Sequence, residues 1–157
     1  MKLTARTILS DCKNAQAVLE DESDTVRFRL FWVAGVVLLR AVGHVLHKVD
    51  RDRSPAIKLQ IDQAYEKWKG DRETNAIFWE FIDDERNRML KEYEIGFLSG
   101  PINVLVQPSG EIATLDHNLF CPIADGRYSG EDSRDVMAEG IAWWEKQLSA
   151  IENVQDV

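Results

Sequence analysis

Ser23-Asp24-Thr25-Val26-Arg27-Phe28-Arg29-Leu30-Phe31-Trp32-Val33-Ala34-Gly35-Val36-Val37-Leu38-Leu39-Arg40-Ala41-Val42-Gly43-His44-Val45-Leu46-His47-Lys48 is the stretch that decides the architecture of this chain. It contains no proline, and its apolar residues fall on nearly every face of a helix, which predicts one long helix at the centre of a helical bundle. Its longest run without a charged side chain, Leu30 to Leu39, is about half of what a bilayer-spanning helix requires, so it reads as a core helix and not a membrane anchor.

Working outward, Ile8, Leu9, Cys12, Ala15, Val18 and Leu19 repeat at helical spacing and predict a first helix over residues 4–19. Asp50-Arg51-Asp52-Arg53 reads as a polar connection. Ser54-Pro55 then supplies a capping side chain followed by a residue suited to a first turn, so a third helix runs from there to Gly70. Asp71 is expected to cap a fourth helix reaching about Glu94, with Gly96 as its stop. Beyond Gly100-Pro101 the period shortens to that of strands. Ile102–Val106 and Ile112–Leu115, separated by Pro108-Ser109-Gly110, predict a β-hairpin. Leu119–Gly130 is broken by Pro122, Gly126 and Gly130 and reads as loop, and a last helix starts at Asp132 or Ser133. The expected fold is mainly α: a four-helix bundle over 1–97, followed over 98–157 by the hairpin, the loop and one further helix, all in a single domain.

Composition agrees with one globular unit: 157 residues, 45% hydrophobic and 29% charged, with 9 Gly and 4 Pro, which excludes a disordered tail and a collagen-like fibre. Two cysteines, Cys12 and Cys121, are too few for a disulfide or metal framework and point to a reducing compartment. No apolar run precedes Cys12, so no signal peptide is expected and the cytoplasm is the default location. Net charge is −8, but residues 1–50 carry +1, 51–100 carry −2 and 101–157 carry −7. That balance argues against non-specific phosphate binding by the whole molecule, while leaving room for a local basic groove on the first 100 residues. The acidic third reads as a solubilising surface or as a surface for a basic partner.

The chemistry concentrates in Phe78-Trp79-Glu80-Phe81-Ile82-Asp83-Asp84-Glu85-Arg86-Asn87-Arg88-Met89-Leu90-Lys91-Glu92-Tyr93. On an ideal helix Trp79, Ile82, Met89, Leu90 and Tyr93 all fall within about 60° of Arg86, which places a guanidinium inside an apolar arc. Such a group cannot lose its proton to escape burial, so it requires an internal carboxylate or an external anion. Both readings stay open on the residues alone. Tyr93, on the same arc, is expected to be buried.

Arg86-Asn87-x3-Lys91-Glu92-Tyr93, late in the fourth predicted helix, resembles the HEPN superfamily, whose members carry Arg-Asn-x3-His or Arg-x4-His-x-Tyr there. The resemblance covers residues 4–94. It implies a homodimer in which Arg and His of two subunits converge on a metal-independent ribonuclease site, as in toxin and defence proteins, and a cognate antitoxin or regulatory protein as partner. In one branch of the family the Tyr receives AMP, which makes Tyr93 a modification candidate by resemblance. The departure is Lys91 in the His position. A base near neutrality suits a side chain of pKa about 6.5; a lysine at about 10.4 would need depressing by roughly three units, about 4 kcal/mol. The resemblance therefore implies impaired or altered nuclease chemistry.

A second polar stripe, Arg29, Arg40, His44 and His47, shares one side of the second helix. If that helix packs against the fourth, Arg40 completes a phosphate pocket and His44 supplies the proton carrier missing at position 91. The candidate catalytic residues are thus Arg86, Asn87, Lys91 and His44, and the candidate substrate contacts Arg40, Arg88 and Tyr93. No cofactor is expected, and His44 with His47 lacks a third metal ligand at a telling spacing. Trp143-Trp144 lie about 100° apart on the last helix, so one of them is expected to be partly exposed at a protein interface. The reading from a different class is a non-enzymatic interaction protein, with Arg86 in a structural ion pair and the acidic third on a basic partner.

Overall fold

The structure, a computed structural model, describes residues 2–153; residues 1 and 154–157 of the expected domain lie outside it. The described chain is mainly helical with one two-stranded antiparallel sheet. Helix α1 (Ala5–Glu20) buries Leu9, Cys12, Ala15 and Leu19, the stripe expected from their spacing. Its N-terminus is held from a distance. Asp50, fully buried in a short 3-10 turn (Asp50–Arg53), accepts the backbone N–H groups of Thr4 at 2.8 Å and Ala5 at 2.9 Å and pairs with Arg53 at 2.9 Å. The segment that reads as a mere connection thus carries a buried carboxylate, tolerated because helix-end donors and a guanidinium together replace its water.

Helix α2 (Thr25–Lys48) starts at Asp24, whose side chain accepts the N–H of Arg27 at 2.8 Å. Phe28, Trp32, Gly35, Val36, Leu39, Val42 and Leu46 form its buried face, and it touches α1, the 3-10 turn, the segment over 77–92 and the last helix. The expectation of burial all round needs correcting. Val26 (51% exposed), Leu30 (54%) and Val37 (36%) line a face that no other element covers among the described residues. Apolarity reports a demand for burial, not the number of neighbours the chain provides. By length and composition alone the run Thr25–Arg53 contains a window of 18 residues, of mean hydropathy 1.7, that is apolar enough to cross a membrane; one third of that window is buried inside the fold.

Helix α3 (Pro55–Gly70) begins where predicted, with Ser54 Oγ accepting the N–H of Ile57. The expected fourth helix differs at both ends and in its middle. Asp71 caps only a turn, through the N–H of Thr74 at 3.1 Å. A π-helical segment (Ile77–Asp83) then leads into α4 (Asp84–Glu92), which ends at Tyr93 in the left-handed region (φ 53°, ψ 35°) rather than at Gly96. Its buried residues are Ile77, Phe78, Phe81, Ile82, Glu85 and Met89. Steps of four residues drift by about 40° on an α-helix, and the wider π turn counteracts that drift, so the core face runs into Glu85 and leaves Arg86 beside it.

Strands β1 (Ile102–Val106) and β2 (Glu111–Leu115) pair antiparallel, Ile102 opposite Leu115 and Val106 opposite Glu111, as the hairpin reading expects. Leu105 and Ile112 on the hairpin are exposed. Helix α5 (Ser133–Asn153) returns to the body and packs on α1, α2, α3 and the π segment. Gly140 sets its backbone close to Leu39 and Ile82. Trp143 and Trp144 are both buried, against the expectation that one faces outward. The ring of Trp68 lies between α3 and α5 at 5.0 and 5.6 Å from theirs, Trp143 Nε1 donates to Asn75 Oδ1, and Trp144 Nε1 donates to the carbonyl of Leu39.

Candidate functional site

The buried charge of α4 is Glu85, 3% exposed, not Arg86. Its Oε1 accepts the N–H of Gly96 at 2.8 Å, and its Oε2 accepts from Arg88 at 3.1 Å. Arg88 also makes a two-oxygen contact with Asp125, at 3.0 and 3.1 Å. A Cβ at position 96 would collide with Glu85 Oε2, so only glycine admits this approach. This flank is closed: each charge has its counter-charge.

On the neighbouring flank Arg86 is half-buried, and its Nη1 donates to the side-chain oxygen of Asn87 at 3.0 Å. Among the described residues no carboxylate lies within ion-pair distance of its guanidinium. The side-chain amide of Asn87 reaches Asp83 Oδ2 at 3.5 Å, and the other oxygen of Asp83 accepts Arg40 Nε at 2.7 Å. Asp83 thus ties α2 to the start of α4 and orients one member of each. His44, one helical turn beyond Arg40, is held below the ordinary histidine pKa, first by desolvation and then by the charges of Arg40, Arg86 and Lys48, with Asp83 opposing. Arg40, Asn87, Arg86 and His44 are therefore brought into one electrostatic neighbourhood. Arg29 stands exposed on the same helix as His44.

Lys91 and Tyr93 do not join this group. Tyr93 is 67% exposed, correcting the expected burial: the π turn rotates it off the apolar arc, and the helix ends there. Lys91 is exposed and lines, with Asn87 and Arg88, a cavity of about 490 Å³. That cavity also presents Glu80, Asp84, Glu92 and Asp125, so acids outnumber bases and a phosphate is repelled. Burial and Asp83 push the carboxyl of Asp84 up.

Sequence reasoning missed a cavity of about 230 Å³ between α2, α3, the π segment and α5, next to Arg40 and His44. Its aromatic lining, Tyr65, Trp68, Phe78 and Trp144, comes from three separate elements, which no local spacing connects. Gly43 and the His44–His47 pair were the only local signals. No protein-family model, curated protein or solved structure matches the chain.

Proposed function

We propose that this chain is a HEPN-like protein that acts on RNA phosphodiesters as a homodimer, with Arg86 contacting phosphate and His44 replacing Lys91 as proton acceptor. In this reading α1–α4 form the four-helix arrangement of that superfamily, and the biological setting is an RNA-directed toxin, defence or stress response with altered chemistry. The observation that carries it is the guanidinium of Arg86: half-buried, steadied by Asn87, and without a carboxylate of its own among the described residues. A neutral imidazole near it suits proton abstraction from a 2′-hydroxyl at neutral pH, whereas Lys91 lines a separate, acidic cavity. The open stripe of α2 supports dimerisation. Leu30 and Val37 lie on the same helix face as His44, so a second copy seated on this stripe approaches the histidine.

The test is incubation of purified protein with single-stranded and structured RNA in EDTA, beside Arg86→Ala, His44→Ala and Lys91→Ala. Cleavage that the first two substitutions lower by about 100-fold or more, and that Lys91→Ala leaves nearly intact, is the expected result. Absence of cleavage by a dimeric wild-type protein would overturn the enzymatic reading and favour an interaction module.

A further inference from the structure

The cavity beside His44 is built like a ligand site. Trp68 and Phe78, each under 5% exposed, and the fully buried Trp144 form its inner wall, with the half-open Tyr65 ring at one side. At about 230 Å³ it exceeds the roughly 150 Å³ of a dry pocket that accepts benzene. One aromatic ring fits, with its substituent at the mouth.

Gly43 keeps that volume open. A Cβ there would meet Trp144 Cη2 at 3.1 Å, Cζ2 at 3.2 Å and Arg40 Nη1 at 3.3 Å, so any side chain at position 43 would intrude between the indole and the guanidinium. The same distances place Arg40 Nη1 near the Trp144 indole, on the lining of the cavity, and the Arg40 side chain is partly exposed there. Asp83 engages Nε of Arg40, and neither terminal nitrogen has a protein hydrogen-bond partner among the described residues. His44 and His47 complete the polar edge. Among the described residues no acidic side chain lines the cavity, and the two acids within electrostatic reach of its histidines are occupied: Asp83 by Arg40, and Asp62 by Arg51 at 2.7 and 2.9 Å. Aromatic cages commonly hold cations, but a fixed positive charge on the rim reverses that preference.

We propose that this cavity binds a planar single-ring aromatic anion, the ring held against Trp68, Phe78 and Trp144 and the anionic group met by Arg40 and the histidine edge. Two sources share that chemistry, a free aryl carboxylate and the base and phosphate of a pyrimidine nucleotide. The site shares His44 with the cleavage proposed above, but Arg86 and Asn87 do not line it, so Arg86 separates the two.

The test titrates the intact protein with benzoate and with uridine 5′-monophosphate, following tryptophan fluorescence and calorimetry. Benzyl alcohol supplies the ring without charge; acetate and inorganic phosphate supply charge without the ring. At least one of the two ring anions is expected to bind at least about tenfold more tightly than each control, and which one binds identifies the source. Gly43→Leu, which fills the cavity, is expected to weaken binding by more than about tenfold, and so is the surface substitution His47→Glu, which sets a carboxylate on the rim without touching the core. Arg86→Ala is expected to leave binding unchanged while abolishing any RNA cleavage, which separates this site from the function proposed above. No saturable binding of either ring anion up to about 10 mM, or binding indifferent to His47→Glu, would overturn the assignment.

Discussion

Arg86 and Arg88 stand two residues apart on α4 and have opposite surroundings. Arg88 spans a buried Glu85 and a surface Asp125, so its charge is matched inside the fold. Among the described residues Arg86 hydrogen-bonds only to the amide oxygen of its neighbour, within electrostatic reach of a histidine and in a group with a second arginine. The contrast teaches that composition does not separate structural from functional arginines. Partnership does: a guanidinium whose terminal nitrogens are taken up by carboxylates has little attraction left for a ligand, whereas one whose terminal nitrogens are free of carboxylates retains it.

The largest effect expected from this contrast is on chemistry. Substituting Arg86 or His44 with Ala should lower RNA cleavage by about 100-fold or more while chemical denaturation finds stability within about 0.5 kcal/mol of wild type, since neither side chain is buried in the core. Arg88→Ala should do the reverse. It leaves Glu85 buried with the Gly96 N–H as its remaining partner, and urea unfolding should report a loss of about 3 kcal/mol with the cleavage site itself intact. Gly96→Ala sharpens the same point from the backbone side. The added Cβ would collide with the Glu85 carboxylate, at an expected cost of about 2 kcal/mol by the same measurement.

The smallest effect is one of pH. His44 titrates lower in the folded than in the unfolded protein, so below its ordinary value the unfolded state binds more protons and stability falls with acidification; above about pH 6.5 the two states agree. Wild type should therefore lose more thermal stability between pH 7.5 and 5.5 than His44→Gln does. Solvent screening at this exposed side chain keeps the difference small, and equal losses in the two proteins would contradict the assigned shift.

Local signals in the sequence carried much of the fold. Ser54-Pro55, the strand pair around Pro108-Ser109-Gly110 and the start of α5 next to Asp132 are each set by residues within a few positions, and each lies where its chemistry predicts. What local reading missed came from contacts across the chain. The π segment displaced the helical wheel on which Arg86, Leu90 and Tyr93 were aligned, exposing Leu90 and Tyr93 and burying Glu85. Asp50 is legible only once α1 is known to start against it. The pairing of Arg40 with Asp83 follows from α2 meeting the π segment and is invisible in either stretch alone. Of the candidate site, Arg86, Asn87, Arg40 and His44 were readable as residue types in a pattern, whereas Lys91 was placed by motif position and stands on the acidic flank.

The central claim is that Arg86, and not Arg88, is the guanidinium open to an external anion. Fluorescence anisotropy with a 2′-O-methylated RNA oligonucleotide measures this without any cleavage, in wild type, Arg86→Ala and Arg88→Ala at one fixed salt concentration. Arg86→Ala is expected to weaken binding by about tenfold or more, while Arg88→Ala, under conditions where it remains folded, is expected to stay within about twofold of wild type. Equal losses in the two variants, or a larger loss in Arg88→Ala, would contradict the claim.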